Sequence, residues 1–280
     1  MRYGVIITGG EAREQVELAR EAEAAGWDGV FTWDGIHVDD AIETHDPWAL
    51  MAAMAIATER VRLGAIISPL SRRRPLKVAR ETTTVDRLSR GRLIVPVGLG
   101  AAGDHGITAP GEAATRRERA ERLDETLEIL LGLWTGERFG YEGRHYRFEP
   151  MAFAPTPVQR PRIPIWVVGA WPSELSMARV LRYDGWLPYW LPKAGATEGL
   201  ARPDTPAELR AVIDWIGARR SLDGFDVVME GTTSPDDAAA ARAQVAPWAE
   251  AGATWWIESD WNVFDVPTQR RRIEAGPPRG

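Results

Sequence analysis

Residues 62–100 read RLGAIISPLSRRRPLKVARETTTVDRLSRGRLIVPVGLG, and this stretch decides the fold. It contains two runs rich in β-branched residues, 63–67 and 93–97, joined by a helical segment. A helical crossover of this kind requires its two strands to run parallel. The first strand leads into an arginine-rich loop, and the second ends in Gly98-Leu99-Gly100, where the backbone can approach a ligand closely. Because α/β enzymes bind ligands at the carboxyl ends of parallel strands, both loops are candidate parts of a site.

Strand and helix patterns alternate along the rest of the chain. Residues 3–8 predict a strand and residues 11–25 an amphipathic helix. Asp46-Pro47 predicts a helix start, since Asp is a favoured N-cap and Pro is favoured at the first helical position. About eight strand–helix pairs follow one another in this way, which favours a closed (β/α)8 TIM barrel. We expect one such domain over residues 1–280, with an open doubly wound sheet as the alternative.

Two segments interrupt the alternation. Residues 136–157 are aromatic, glycine-rich and flanked by proline, which predicts a hairpin or excursion between the fourth helix and the fifth strand. Residues 191–204 contain two prolines and two glycines within a polar stretch, which predicts a long mobile loop after the sixth strand. Since long loops in compact domains are often lids, we expect residues 191–204 to cover the site.

Composition excludes several classes of function. The chain has 280 residues and a formal net charge of −6, which argues against a general binder of nucleic acid or of anionic membranes. It has no cysteine, which excludes disulfides, thiolate catalysis and cysteine-ligated metals. The sequence shows neither a signal-peptide pattern nor an apolar run of membrane-spanning length, so we expect a cytoplasmic protein. Its 13 tryptophans favour large core side chains, with an aromatic-lined pocket as the alternative.

The four histidines are His37, His45, His105 and His145. His37 and His105 come just after predicted strand ends, where a barrel places its catalytic groups. No two histidines have the helical spacing of a metal pair and no HExxH motif is present, so no metal site is indicated. A structural histidine is the alternative for each of them.

Carboxylates end three of the predicted strands. Asp34 follows the second, Glu230 the seventh and Glu258 the eighth, and each is either a catalytic acid or base or a hydrogen-bonded supporting group. The run Arg72-Arg73-Arg74 follows the third strand and predicts a solvated face, with a site for an anionic ligand as the alternative. The two lysines lie on a predicted helix and in a loop, which disfavours Schiff-base chemistry.

A turn of small residues connects the fifth predicted strand to its helix. Residues 167–174 read VVGAWPSE, and the amide N–H groups at the start of that helix would face an anion, with Ser173 adding a hydroxyl. An ordinary N-capped helix is the alternative. Gly98 and Gly100 form a lone Gly-x-Gly that does not continue into G-x-G-x-x-G, so a dinucleotide fingerprint is missing.

Taken together, these blocks resemble the bacterial luciferase-like monooxygenase family of flavin- or deazaflavin-dependent oxidoreductases. The matching blocks are, in order, LAREAEAAGWDGVFTWD, DPWALMAAMAIATERVRLG, RRRPLKVARETTTVDRLSRGRLIVPVGLG, LDETLEILLGLWTGERFGYEGRHYRF, PVQRPRIPIWVVGA and DGW. They extend over residues 3–190. The resemblance implies a (β/α)8 barrel that binds reduced FMN at the carboxyl end of its strands, with coenzyme F420 as the alternative cofactor.

The resemblance also implies roles for particular residues. In this family a bulge of the third strand, often with a non-prolyl cis peptide, presses against the isoalloxazine ring. That bulge falls at Ile66-Ile67, with Ala65 and Ser68 beside it. The loop from Gly98 through Gly100 to His105 would border the ribityl chain or the substrate. The family's phosphate site corresponds to Gly169, Ala170, Trp171 and Ser173.

One position departs from the family pattern. Many relatives follow the second-strand acid with a histidine that serves the flavin N5 region or proton transfer, whereas here Gly35 follows Asp34. His37 lies two residues further on and, with Asp34 and His105, makes up the candidate catalytic set. The resemblance implies oxidation of a small organic substrate. F420-dependent hydride transfer and a catalytically silent flavin-binding barrel are the alternatives, and a separate flavin reductase and a second copy in a homodimer are the implied partners.

Overall fold

Strands and helices alternate through the computed structural model, which describes residues 1–101, 103–109, 111–113, 115–191 and 201–279. The strands are β1 (Arg2–Ile6), β2 (Gly29–Thr32), β3 (Arg62–Ala65), β4 (Val95–Val97), β5 (Arg138–Glu142), β6 (Arg147–Ala152), β7 (Ile165–Trp171), β8 (Gly185–Trp190), β9 (Asp226–Gly231) and β10 (Trp255–Glu258). The helices are α1 (Ala12–Ala24), α2 (Pro47–Ala57), α3 (Pro75–Leu88), α4 (His105–Thr108), α5 (Arg116–Trp134), α6 (Glu174–Arg182), α7 (Pro206–Gly217), α8 (Ala238–Glu250) and α9 (Val266–Glu274). A 3₁₀ turn, Leu70–Arg72, follows β3.

Eight strands of the described chain form one sheet in the order β3-β2-β1-β10-β9-β8-β7-β4. Every pairing along this order is parallel. The two ends of the order meet through the parallel bridges Leu63–Leu93 and Ser68–Val97. The sheet therefore closes on itself, which confirms the predicted (β/α)8 barrel and makes the open-sheet alternative wrong.

Three large aromatic rings fill the amino-terminal part of the barrel interior. The ring centroids of Phe31, Trp166 and Trp255 lie 5.3, 5.7 and 6.0 Å from one another. Glycines make room for these rings: a Cβ on Gly29, in the same strand as Phe31, would lie 2.8 Å from the Phe31 ring, and one on Gly185, in the strand next to Trp166, would lie 2.3 Å from the Trp166 ring. Because alternate residues of a strand face opposite sides, these inward positions fix which later residues of each strand reach the mouth.

The helix starts follow the capping signals in the sequence. Asp46 accepts a hydrogen bond from the backbone N–H of Ala49 at 2.9 Å, and Pro47 takes the first position of α2. Thr115 and Ser173 cap α5 and α6 in the same manner. Side-chain caps of this kind each stabilise a helix by about 1 kcal/mol. They also fix where each loop at the mouth ends and its helix begins.

The two interruptions of the alternation have different outcomes. β5 and β6 pair as an antiparallel hairpin, as residues 136–157 predict, and the Tyr141 hydroxyl donates to Glu128 of α5 at 2.9 Å. Most of the expected lid, residues 192–200, lies outside the described residues. Among the helices that the structure describes, none is both long and apolar enough to span a bilayer.

Candidate functional site at the barrel mouth

The carboxyl ends of the barrel strands turn a defined set of side chains inward. Leu187, Val228 and Ile257 lie in the interior cluster, and each is two residues before a polar side chain at the mouth. Alternation along β8, β9 and the end of β10 therefore directs those polar side chains into the barrel. The same rule, applied to the other strand ends, gives the inward set Thr8, Trp33, Gly98, Ala170, Tyr189, Glu230 and Ser259. Ile66 and Ile67, which follow β3, join this set because both pack on the interior cluster.

An apolar wall forms one side of the mouth. β3 ends in a non-prolyl cis peptide between Ile66 and Ile67, at the position where the family resemblance implies one. Both side chains pack on the interior cluster. Gly98 lets β4 approach them, since a Cβ there would lie 2.8 Å from Ile67 Cδ1 and 3.1 Å from Val168 Cγ2. The wall thus presents backbone and isoleucine methyl groups at the level of the mouth.

Ala65 and Ser68 hold this wall in place rather than line it. Ala65 is the last residue of β3 and is buried. The backbone N–H of Ser68 donates to the carbonyl of Pro96 at 2.9 Å, so Ser68 carries the bridge that closes the barrel. Gly100 has a φ of +83°, a conformation that side-chain-bearing residues rarely adopt, and it turns the chain away from the mouth.

A charged cluster lies across the barrel from the apolar wall. β9 is four strands from β3 in either direction around the closed sheet. Its residue Glu230 accepts a hydrogen bond from the Arg202 guanidinium at 2.7 Å and one from Trp261 Nε1 at 3.4 Å. The Glu230 side chain is 4% exposed and that of Arg202 is 32% exposed. This ion pair therefore sits at the boundary between the barrel interior and solvent.

Tyr189 adjoins the ion pair on the inward face of β8. Burial raises the pKa of the Tyr189 phenol, the negative charge of Glu230 raises it further, and Arg202 opposes both as a cation and a hydrogen-bond donor. The phenol is therefore protonated throughout the neutral range, since an ordinary tyrosine already titrates at about pH 10.

Two indole rings form the upper rim of the mouth. Trp33 and Trp261 meet edge to face with centroids 6.4 Å apart, and Trp33 Nε1 donates to the carbonyl of Thr8 at 2.9 Å. The Trp33 ring occupies the space beside Gly35, where a Cβ would lie 2.2 Å from Trp33 Cζ3. A larger residue at position 35 is incompatible with this tryptophan rotamer, so glycine is required there.

The arginine run is not the solvated face that the sequence predicts. The Asp34 carboxylate is fully buried and pairs with Arg72 at 2.7 Å and Arg73 at 2.8 Å. The side chains of Arg72 and Arg73 are only 5% and 15% exposed, so the expectation is wrong for these two and holds for Arg74 alone. The 3₁₀ turn after β3 directs both guanidinium groups back against the end of β2. Asp34 thus has the geometry of a supporting group.

The predicted histidines meet in the loops above this network. The rings of His37 and His105 stack with centroids 5.0 Å apart, and the backbone N–H of His105 donates to the carbonyl of His37 at 2.8 Å. Asp104 organises both loops by accepting N–H groups from His37 and Gly106 and the guanidinium of Arg72. Burial alone would raise the pKa of Asp104, but these hydrogen bonds outweigh it and lower the pKa. His105 is exposed and His37 is 44% exposed, so neither ring projects into the barrel interior.

Glu258 faces away from the mouth. Its neighbour Trp256 belongs to the outer core, and alternation places Glu258 on the same outer side. Its carboxylate accepts the Thr233 hydroxyl at 2.6 Å, the Thr233 N–H at 2.9 Å and Trp256 Nε1 at 2.9 Å. Of the two roles considered for Glu258, the geometry is that of a hydrogen-bonded supporting group.

The turn between β7 and α6 combines a packed glycine with a helix start. A Cβ on Gly169 would lie 2.4 Å from Val180 and 2.5 Å from Trp186 Nε1, so glycine is required by packing. The N–H of Ala170 already donates to Ser176 Oγ at 2.9 Å, and Ser173 caps α6. The N–H of Ser176 donates to the Ser173 Oγ at 3.4 Å, which leaves the amides of Glu174 and Leu175 without an acceptor in the helix, as at any helix start. Trp171 lies half-buried beside them.

Sequence reasoning found Glu230 but missed Tyr189, Arg202 and the two rim tryptophans. The sequence does contain a signal for Tyr189, because it lies two residues after Leu187 in a strand whose side chains alternate between the two faces of the sheet. Arg202 had none, because it reaches Glu230 from a connection whose course no local pattern predicts. Within the described ranges, no group of three or more potential metal ligands comes together.

The comparison with protein families decides what kind of barrel this is. The family model for luciferase-like monooxygenases matches residues 2–276. The chain belongs to this family. The family comprises oxidoreductases and monooxygenases, so the chain is an enzyme of the oxidoreductase class.

Two sequence relatives illustrate the relationship. A Mycobacterium tuberculosis protein is 33% identical over 223 residues, which cover 77% of this chain and 70% of the relative. The F420-dependent glucose-6-phosphate dehydrogenase of Intrasporangium calvum is 31% identical over 273 residues, which cover 93% of this chain and 76% of the relative.

Solved structures show the same fold at lower identity. An F420-dependent secondary alcohol dehydrogenase, solved with an F420–acetone adduct, matches with a TM-score of 0.78 and 16% identity, covering 99% of this chain and 98% of the other. The monooxygenase RslO1 from Streptomyces bottropensis matches with a TM-score of 0.76 and 20% identity, covering 98% and 97%. At these identities the likeness shows the fold alone.

Proposed function

We propose that this chain binds a flavin or deazaflavin ring at the barrel mouth and exchanges electrons between that ring and a small organic molecule. The observation that carries the proposal is the apolar wall of Ile66 and Ile67 beside Gly98, which lies across the barrel from the charged cluster at Glu230. A flat ring placed against this wall would leave its other face toward the polar groups, where a substrate would bind.

The residues around the mouth fit such a group. Ile66 and Ile67 would support the ring, and Gly98 keeps open the space beside them that a side chain would fill. Ser259 offers a buried hydroxyl that has no protein partner and is 5% exposed. The first amides of α6 and the Ser173 hydroxyl would receive the phosphate. When bound, the group supplies two-electron chemistry that no side chain of this protein can provide.

The relatives favour F420 as the group. The Intrasporangium calvum relative, which aligns over 93% of this chain, is named for F420. Reduced FMN is the second candidate, because the monooxygenase from Streptomyces bottropensis shares the barrel. Use of reduced FMN would require a separate flavin reductase as a partner.

Binding distinguishes these candidates directly. When purified protein is titrated with F420, we expect quenching of the F420 fluorescence. Titration with oxidised FMN should quench the FMN fluorescence less or not at all. Reduced FMN is titrated under anaerobic conditions. Gly98→Ala should weaken binding about tenfold, because its Cβ would push Ile67 out of the wall, a change of about 1.4 kcal/mol. Gly103→Ala in the same loop is the matched control, since a Cβ there has nothing within 4 Å.

Two results would decide against the proposal. If none of the three cofactors binds at micromolar concentration, the chain is not a flavin or deazaflavin enzyme. If Gly98→Ala and Gly103→Ala bind equally well, the ring does not lie at the Ile66-Ile67 wall. Binding without turnover of any substrate would instead identify a silent cofactor-binding barrel.

A further inference from the structure

Three polar side chains at the mouth are not explained by binding of a ring or a phosphate. Tyr189, Arg202 and Glu230 form a connected cluster at the carboxyl ends of β8 and β9. Their charges and hydrogen bonds indicate what kind of molecule could bind beside them.

Backbone pairing places these three groups together. After β8 the chain returns at Ala201, which exchanges two hydrogen bonds with Trp190 at 2.6 and 3.1 Å. This antiparallel bridge puts Arg202 next to the end of β8. β8 and β9 pair at Gly185–Asp226 and Trp186–Val227, and the same register carried forward brings Tyr189 opposite Glu230 on the inward face. The position of the phenol is thus fixed by main-chain pairing as well as by its own packing.

The hydrogen-bond directions within the cluster leave one donor for a ligand. Arg202 is a donor only: it donates to Glu230 at 2.7 Å, and its positive charge acts on the neighbouring Tyr189 phenol. Because a guanidinium accepts no hydrogen bond, Arg202 leaves the proton of the phenol available for donation. Burial and the nearby Glu230 carboxylate keep that proton in place at neutral pH by raising the pKa of the phenol.

The cluster carries no net charge to offer an anion. Arg202 pairs with Glu230, and nearby Arg72 and Arg73 pair with Asp34 and Asp104, so that each guanidinium has a carboxylate and each of these carboxylates is nearly or fully buried. A phosphate on the substrate would have to displace Glu230 from Arg202 and leave a buried carboxylate without its counter-ion, which is costly. A neutral oxygen needs only one hydrogen-bond donor, which Tyr189 supplies.

We propose that Tyr189 is a catalytic residue that donates its hydroxyl proton to the oxygen of an uncharged ketone or aldehyde, with Arg202 and Glu230 as its positioning residues. The proposal rests on the proposed function, because the hydride must come from a reduced deazaflavin or flavin at the Ile66-Ile67 wall. Because position 35, after β2, is a glycine and has no side chain to donate a proton, Tyr189 on β8 would supply the proton instead.

The step balances as follows. The carbonyl carbon would receive a hydride, one hydrogen nucleus with two electrons, from a C–H bond of the reduced cofactor, which is thereby oxidised, and the C=O π pair moves to oxygen. The oxygen takes the proton of the Tyr189 hydroxyl, so one C–H and one O–H bond form and the substrate becomes an alcohol. The resulting tyrosinate is stabilised by Arg202 and regains a proton from water. The reverse direction oxidises the alcohol and reduces the cofactor.

The test compares Tyr189→Phe with Tyr183→Phe in the intact chain loaded with reduced F420, or with reduced FMN if only that cofactor binds. Tyr183 is 2% exposed and lies at the opposite end of β8, so its variant makes the same chemical change away from the mouth. The probes are acetone and cyclohexanone for reduction, and glucose 6-phosphate with oxidised cofactor for oxidation. We expect wild-type cofactor affinity in both variants, and reduction of both ketones slowed at least about 100-fold in Tyr189→Phe alone.

Two further readouts separate proton donation from a structural role. Isobutyramide, an unreactive carbonyl analogue, should bind the cofactor-loaded Tyr189→Phe about tenfold more weakly than the wild type, because one hydrogen bond is lost. The wild-type rate should be level through neutral pH and fall only above about pH 10, where tyrosine loses its proton. Tyr189→Phe should lack that alkaline fall, and Glu230→Gln should move it, since the Glu230 charge acts on the phenol.

The outcomes separate this inference from the proposed function. If wild-type protein binds no cofactor, the proposed function is wrong and this inference falls with it. If cofactor binds and Tyr189→Phe reduces ketones and binds isobutyramide as the wild type does, only the role of Tyr189 is overturned. Turnover of glucose 6-phosphate faster than of either ketone, or no reduction of any ketone by the loaded wild type, overturns the uncharged substrate class.

Discussion

Trp33 determines which residue can follow the acid at the end of β2. Its indole occupies the space beside position 35, and its N–H is held by the carbonyl of Thr8 at 2.9 Å. No side chain larger than glycine fits there while Trp33 keeps this rotamer, so position 35 contributes no side chain to the mouth. The glycine at position 35 is evident in the sequence. The reason for it, the Trp33 indole beside it, follows only from the rotamer of Trp33 in the structure.

Asp34 is predicted to contribute far more to stability than an exposed carboxylate of the same kind. Asp34→Ala would leave Arg72 and Arg73 buried with part of their counter-charge removed, which costs about 3–5 kcal/mol for a buried pair. Asp236→Ala is the matched control, because its pair with Arg271 is more than 60% exposed on both sides. Exposed pairs contribute about 0–1 kcal/mol.

Urea unfolding followed by tryptophan fluorescence measures both changes. Equal midpoints for Asp34→Ala and Asp236→Ala would show that the buried network carries no special stability. Retained cofactor affinity in Asp34→Ala would agree with the supporting role that its geometry indicates, whereas loss of turnover with full stability would restore the catalytic role considered from the sequence.

At the scale of elements, local signals were predicted well and long-range ones were not. The start of α2 follows from Asp46 and Pro47 alone, because a cap and its target are three residues apart. The orientation of Arg72 depends on Asp34 and Asp104, which arrive from the ends of two other strands. A pattern along one segment contains no information on such partners, so the sequence predicts a solvated face where the structure buries Arg72 and Arg73.

Asp104 makes the loops of the mouth sensitive to acid. Its pKa is lowered in the folded protein, so it contributes stability that is present above its unfolded pKa of about 3.9 and is lost as the pH falls through the lower folded value. The variant Asp104→Asn keeps the side-chain shape but cannot carry the charge. We expect the wild type to lose stability below about pH 4 more steeply than Asp104→Asn does.

Thermal unfolding between neutral pH and acid pH, for the wild type and Asp104→Asn, measures this difference. Asp236→Asn, an exposed carboxylate outside the mouth, should keep the wild-type acid profile. Parallel acid profiles for the wild type and Asp104→Asn would contradict the assignment of this carboxylate as the group that holds the two loops together.

At the scale of the whole molecule, the barrel could be predicted because its cause is repeated along the chain. Each strand–helix pair carries its own apolar period and turn signals, and closure needs only that eight of them follow in order. The mouth is different, because Tyr189, Arg202 and Glu230 meet once, through a single bridge at Ala201. A feature that is repeated along the chain can be predicted from the sequence. A site formed by single contacts between distant segments is seen only in the three-dimensional structure.

Glycine positions inside the barrel set how much aromatic volume the interior can hold. Gly185→Ala would place a Cβ 2.3 Å from the Trp166 ring, which in turn contacts Phe31 and Trp255. Overpacking of this kind costs about 1–3 kcal/mol, and the displaced rings would disturb the interior on which the Ile66-Ile67 wall rests. We therefore expect a lower urea midpoint, altered near-ultraviolet circular dichroism and weaker cofactor binding together.

Gly103→Ala, with open space at its Cβ, should change none of the three. A Gly185→Ala protein with wild-type stability would mean that the three rings repack with no loss in the free energy of unfolding. The Ile66-Ile67 wall would then not depend on the packing of these rings.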